Sequence, residues 1–195
     1  MNLPNKLTLS RFALTVAFLA VMFSQVHFHE TAALLLFSAA SLTDYFDGEI
    51  ARRRNLITNF GILMDPLADK ILVCSAFIAF VGRGWLPAWM VVLVVARELA
   101  ITGLRLLAAS KNLVLAAEGF GKHKTISQIV AIISILMLHS YHQWGPVGAI
   151  FSFNLFGGPW IIWFTGLSIW VAMILTFTSG GLYLWRNRGL YLVDL

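Results

Sequence analysis

The segment from Asp44 to Lys70, DYFDGEIARRRNLITNFGILMDPLADK, sets four aspartates, Asp44, Asp47, Asp65 and Asp69, around three consecutive arginines. The chain that contains it is 59% hydrophobic and only 12% charged, with nine Asp and Glu in 195 residues. A soluble domain carries about a quarter of its residues charged. The mean hydropathy of +0.81 and apolar runs close to the roughly 20 residues that cross a bilayer predict an integral membrane protein. The acidic segment therefore has to be placed against a membrane before its chemistry can be read.

Working outward from it, six spans are predicted, at about 8–25, 32–53, 60–82, 86–109, 124–142 and 159–185. The expected fold is all-α: an integral membrane bundle of six transmembrane helices forming one domain over residues 1–195. A short N-terminal interfacial helix is expected in MNLPNKLTLSRF, where apolar and polar residues alternate; a frayed tail is the alternative. Lys6 and Arg11 precede an apolar stretch as in a signal peptide, but no small-residue cleavage site follows, so a retained first helix is expected. Residues 145–159, GPVGAIFSFNLFGGP, are too short and too rich in Gly and Pro to cross, and suit a surface loop or a shallow re-entrant segment.

Lys and Arg then orient the bundle. One set of span ends carries Lys6, Arg11, Arg52, Arg53, Arg54, Arg105, Lys111, Lys122, Lys124, Arg186 and Arg188, and the opposite set carries Arg83. The positive-inside rule puts both termini in the cytoplasm, and Trp85, Trp89, Trp144 and Trp160 fall at the far interface as an aromatic belt. The net charge of +5 thus reports orientation and anionic headgroups, and no nucleic-acid partner is expected. Cys74, the single cysteine, lies in an apolar run and reads as a packing thiol.

Asp44 to Lys70 becomes the end of span two, a cytoplasmic turn and the start of span three. Asp44 and Asp47 are three apart and Asp65 and Asp69 four apart, so each pair shares a helix face. Four carboxylates brought together at headgroup depth would repel and lose hydration. A hard divalent cation, Mg²⁺ or Mn²⁺, relieves that conflict, and four carboxylates can hold two ions. Gly48, Ala51 and Gly61 flank the acids; they leave room for a bulky head group or serve helix packing, and the two readings are compatible. Arg52, four residues from Gly48, can turn toward the site, whereas Arg53 and Arg54 mark the cytoplasmic side.

The pattern Asp44-x2-Asp47-Gly48-x2-Ala51-Arg52-x8-Gly61-x3-Asp65-x3-Asp69 resembles the signature of the CDP-alcohol phosphotransferase family, with every motif position at the family's spacing. The six spans also agree with that family's fold. The resemblance implies transfer of a phosphoalcohol from a CDP-linked donor to a hydroxyl, with release of CMP. It implies that Asp44, Asp47, Asp65 and Asp69 hold a two-metal centre on the donor pyrophosphate, that Asp69 is also the general base, and that Asp44, Gly48, Ala51, Arg52 and Gly61 lie against the CDP moiety. A homodimer is common in this family.

A basic constellation narrows the acceptor. Span four holds Arg97, Glu98 and Arg105 in ARELAITGLR; the next segment, GKHKTISQ, holds Lys122, Lys124, Thr125 and Gln128. A charge as deep in a span as Arg97 faces a polar cavity or a partner. Glu98 need not be that partner, because adjacent side chains diverge on a helix. Lys122 and Lys124 ahead of span five, with Thr125 placed to cap it, suit a phosphate at a helix N-terminus; juxtamembrane contact with anionic lipid is the plainer reading. With Arg97 and Arg105 added, an acceptor phosphate is favoured. MNLPNKLTLSR, RELAITGLR and GKHKT resemble the phosphatidylglycerophosphate synthase branch of the family, which implies CDP-diacylglycerol as donor and sn-glycerol 3-phosphate as acceptor, in phospholipid biosynthesis at the inner (cytoplasmic) membrane. Serine, inositol phosphate or phosphatidylglycerol are alternative acceptors. A prenyl-diphosphate transferase has different aspartate spacing and more spans, and a cation transporter would spread its acids over several spans near mid-membrane.

The remaining features carry less. His27 and His29 read as surface-loop residues and His139 and His142 as interfacial ones. His123 adds charge beside its lysines, and Gly180-Gly181 marks a kink, close packing or a dimer contact.

Overall fold

The computed structural model describes the backbone of residues 3–54, 59–111, 113, 115, 120–155 and 157–191, and their side chains except at 3–8, 44–54, 59–66, 69 and 120–122. Among the described residues there are six α-helices: α1 (Leu3–Met22), α2 (His29–Arg54), α3 (Asn59–Gly82), α4 (Ala88–Ser110), α5 (Phe120–Ser140) and α6 (Trp160–Arg186). Each contains one predicted span, and the ends move by a few residues. At the N-terminus the difference is one of kind. Among the described residues the expected short N-terminal helix is not separate: α1 runs unbroken from Leu3 to Met22. Its one proline, Pro4, lies in the first turn, where a missing N–H costs nothing, and no Gly or Pro interrupts the rest.

Helix α1 packs on both α2 and α3, α5 packs on α2 and α6, and α4 packs on α3 and α6. Direct contact between α2 and α3 is slight among the described residues, since α1 lies against both. The core is built from Phe18 and Met22 of α1, Phe37 of α2, Phe80 of α3 and Ile132, Ile135 and Leu136 of α5, all essentially without solvent exposure. Facing outward are Val16, Leu35, Leu99, Leu106, Leu167, Ile174 and Trp185, all largely exposed. An apolar outer surface of that extent suits lipid and not water. Two helical runs, His123–Ile150 and Trp160–Arg186, are long and apolar enough to cross a bilayer, and Leu9–Met22 and Lys70–Gly82 are shorter apolar stretches.

The end of the bundle away from the acidic segment is closed by tight turns. At the end of α3, Gly84 adopts φ +72°, Trp85 N–H donates to Phe80 O at 2.8 Å and Gly84 N–H to Val81 O at 3.0 Å. This paired capping needs a left-handed residue, hence glycine; Pro87 then starts α4. Residues 141–150 form a 3₁₀ segment, kinked at Gly145, followed by a hairpin pairing Asn154–Leu155 with Gly158–Pro159. Residues 145–159 thus take up a 3₁₀ segment and a short hairpin, neither of them long enough to cross a bilayer. Trp160 and Trp163 donate their indole N–H groups to Ile150 O (2.8 Å) and Leu155 O (3.0 Å), folding the loop onto α6.

His29 and Glu30 open α2 at this same end. The expectation of a loop histidine is corrected: His29 begins the helix, contacts Glu30 at 3.0 Å and bonds to Arg83. Gln143 donates to the second Glu30 oxygen at 2.6 Å, Thr31 donates to Gln143 at 2.8 Å, and Trp144 donates to Thr31 at 3.0 Å. His139 stacks on Trp85 at 3.7 Å between ring centres. One carboxylate thus joins the start of α2, the end of α3 and the segment after α5. Glu30→Ala should cost about 1–3 kcal/mol by stranding those donors, seen as a lower thermal unfolding temperature in detergent.

Candidate active site and its basic cleft

The four aspartates fall inside helices, Asp44 and Asp47 in α2 and Asp65 and Asp69 in α3. The three- and four-residue spacings therefore act as helical spacings, and each pair shares a face. The side chains of Asp44, Asp47, Gly48, Ala51, Arg52, Gly61, Asp65, Asp69 and Lys122 lie outside the described residues. The donor set is hard oxygen throughout, the kind Mg²⁺ or Mn²⁺ takes, and the helical placement of both pairs fits such an ion.

The described part of the site begins one residue later. Lys70, next to Asp69 in α3, donates to the Thr102 hydroxyl of α4. It lines a cleft with about 220 Å³ of empty space, together with Val73, Cys74, Glu98, Lys124, Thr125 and Gln128. The acidic segment and this cleft therefore share one helix, through adjacent residues.

At the floor of the cleft stands Glu98, 6% exposed. Its Oε1 accepts from the Lys124 ammonium of α5 and from Arg97 Nη1 at 3.0 Å. The sequence expectation that Glu98 need not pair with Arg97 is thus overturned. Adjacent side chains leave a helix in different directions, but the long arginine arm brings its guanidinium round, and in an apolar interior the attraction between opposite charges outweighs the bend. Arg97 Nη2 reaches across to Ser179 of α6 at 3.2 Å.

Helix α5 starts a turn earlier than expected. Thr125 lies inside it and is not its cap, so the argument from a helix N-terminus at Thr125 does not hold. Lys124, Gln128, Ala131, Ile132 and Ile135 form the buried face of α5, and extending the helix to Phe120 delivers Lys124 to Glu98. Thr125 still lines the cleft. Gln128, 1% exposed, also lines it and donates to Thr176 of α6 at 3.1 Å. Farther along the same interface Ser134 and Ser168 share a hydrogen bond of 2.7 Å, and Thr165 donates to Ser134 O at 3.1 Å, the small polar contacts that join helices in lipid.

Of the predicted acceptor residues, the structure gathers Arg97, Lys124, Thr125 and Gln128 around Glu98. Arg105 is set apart. It is exposed, two turns farther along α4, with its guanidinium 5.6 Å from the Tyr183 ring and its Nε donating to the Tyr183 hydroxyl at 3.3 Å. Lys70, Glu98, Ser179 and Tyr183 were not singled out by sequence reasoning. Lys70 and Glu98 carried a signal, being next to promoted residues. Ser179 and Tyr183, some 80 positions from their partners, carried none.

The sequence profile of the CDP-alcohol phosphatidyltransferase family matches residues 1–178. The chain belongs to this family. It is 41% identical to the CDP-diacylglycerol–glycerol-3-phosphate 3-phosphatidyltransferase of Bacillus subtilis (strain 168), over 95% of each chain. It is 34% identical to the protein of the same name from Rickettsia bellii (strain RML369-C), over 93% of each. A probable phosphatidylglycerophosphate synthase of Mycobacterium tuberculosis is 42% identical over 67% of this chain and 64% of its own. The family is the one that the aspartate signature resembles.

Glu98 is the internal counter-ion of Arg97 and Lys124. Glu98→Ala would leave the buried Lys124 and the part-buried Arg97 without it, at about 3 kcal/mol. Thermal unfolding in detergent should show the loss, and adding Lys124→Met should recover part of it.

Proposed function

We propose that the chain transfers the phosphatidyl group of CDP-diacylglycerol to sn-glycerol 3-phosphate, yielding phosphatidylglycerol phosphate and CMP. The observation that carries this reading is the covalent adjacency of Asp69 and Lys70. It sets the motif the family uses on a CDP donor against a cleft whose lining cations, Lys70 and Lys124, exceed its one described carboxylate, Glu98, which Arg97 also contacts. An acceptor that carries a phosphate matches this excess of positive charge; serine does not need it. The likeness to the Bacillus subtilis transferase over nearly all of both chains supports the same reaction.

In this mechanism Gly48, Ala51, Arg52 and Gly61, with Asp44, receive the CDP moiety. Arg97 and Lys124, with Lys122, Thr125 and Gln128, hold the acceptor phosphate, and Arg105 attracts it toward the cleft. The acceptor hydroxyl attacks the phosphorus bonded to diacylglycerol. A new P–O bond forms, the bond to CMP breaks, CMP leaves with the electron pair, and Asp69 takes the hydroxyl proton. Asp44, Asp47, Asp65 and Asp69 would hold Mg²⁺ or Mn²⁺, two ions in the full reading, which when bound neutralise the pyrophosphate and the departing CMP.

The same proposal covers the setting: a single domain of six spans in the cytoplasmic membrane, with both termini and the site on the cytoplasmic side, working as a homodimer. The distribution of Lys and Arg supports the orientation, and the family likeness supports the dimer. Gly180, one candidate for a dimer contact, packs inside the chain.

The test is CMP release by purified protein in detergent, given CDP-diacylglycerol and Mg²⁺ and offered glycerol 3-phosphate, serine, inositol phosphate or phosphatidylglycerol in turn. Release with glycerol 3-phosphate alone is expected. Release with serine alone would overturn the acceptor, and release with none would overturn the enzyme. Chelation should abolish turnover and Mg²⁺ or Mn²⁺ restore it. Asp69→Asn should lower kcat by about 10²- to 10⁴-fold with donor binding retained; loss of donor binding equal to that of Asp44→Asn would count against Asp69 as base.

A further inference from the structure

Arg97 is held on three sides. Nη1 is bound to Glu98 and Nη2 to Ser179. The third side is the backbone of α6 at Gly180. A Cβ placed there would lie 2.7 Å from Arg97 Cγ, 3.2 Å from Nε and 3.5 Å from Cδ, well inside the 3.4–4 Å of ordinary contact for the first two. Cγ is near the root of the side chain. It cannot give way as a flexible tip can, so any side chain at 180 displaces the whole arm. A Cβ at the neighbouring Gly181 would meet nothing within 4 Å. The glycine pair is therefore one packing requirement and one bystander, and the requirement belongs to the contact between α4 and α6.

We propose that Ser179 and Gly180 form a notch that positions the Arg97 guanidinium for the acceptor phosphate, so that α6 sets acceptor affinity without touching the substrate. This rests on the acceptor role assigned to Arg97 above. A planar guanidinium recognises phosphate through donors in a fixed fork, and its advantage depends on being held in place before the ligand arrives. The Ser179 bond fixes its rotation and the missing side chain at 180 fixes its depth. Both are positioning residues.

The experiment is a double-mutant cycle read as KM for glycerol 3-phosphate and, separately, KM for CDP-diacylglycerol. Gly180→Ala should raise the acceptor KM about tenfold and Ser179→Ala about threefold, with the donor KM unchanged. Gly181→Ala should leave both within about twofold. In an Arg97→Ala background, where the clashing atoms are gone, Gly180→Ala should add less than about twofold. If Gly180→Ala alone does not fold, recovery of folded protein on adding Arg97→Ala supports the notch, and failure to recover overturns it. A raised acceptor KM in Arg97→Ala with a fully additive effect of Gly180→Ala overturns the notch alone. An unchanged acceptor KM in Arg97→Ala overturns the acceptor role of Arg97, and the notch proposal with it.

Discussion

Charge inside an apolar bundle has to be balanced, and here the balance is struck at Glu98. One carboxylate, buried in α4, takes hydrogen bonds from a cation on its own helix and a cation on α5. Removing two opposite charges from water is costly, and the cost is offset only when each is paired and otherwise satisfied. That condition determines how α4, α5 and α6 can sit. Lys124 must be delivered by a helix that starts at Phe120, Arg97 must lie along α6 where Ser179 can accept a bond, and α6 must present a residue without a side chain beneath it. Glu98, Lys124, Gln128 and Thr176, all of them buried polar groups, lie in this region.

The two ends of the molecule use charge differently. At the end away from the motif, Glu30 gathers His29, Arg83 and Gln143 into a network that joins helix ends and leaves no excess charge among those partners beyond that of a histidine. In the cleft beside the motif, two lysines, Lys70 and Lys124, line the same space as one carboxylate, Glu98, among the described residues. The first network is closed on itself, whereas the second is open to the cleft.

Membership of the CDP-alcohol phosphatidyltransferase family and the cleft chemistry address different halves of one reaction. In the proposed mechanism the aspartate signature serves the CDP donor, and the acceptor is chosen by residues off the signature, on α3, α4 and α5, with α6 behind them. Lys70 links the two regions of the chain: it follows the last aspartate on α3 and touches Thr102 on α4.

Much of this was legible in the order of residues. Apolar length set the number and places of the helices, because a span has a minimum length. The i,i+3 and i,i+4 spacing of the aspartates set their faces, because a helix has a fixed pitch. Arg97, Lys124 and Gln128 stood out because charge and amide groups are rare in such runs. Three things were decided only by packing. The pairing of Arg97 with Glu98 runs against local geometry and arises because both side chains are largely withdrawn from water. Helix α5 begins at Phe120, before the local cap signal at Thr125, and carries Lys124 on its buried face against Glu98. Gly180 beneath Arg97 joins residues 83 positions apart, and a missing side chain leaves no trace of the neighbour that requires it. Sequence determines what is near along a helix; only the assembled bundle determines what is near across it.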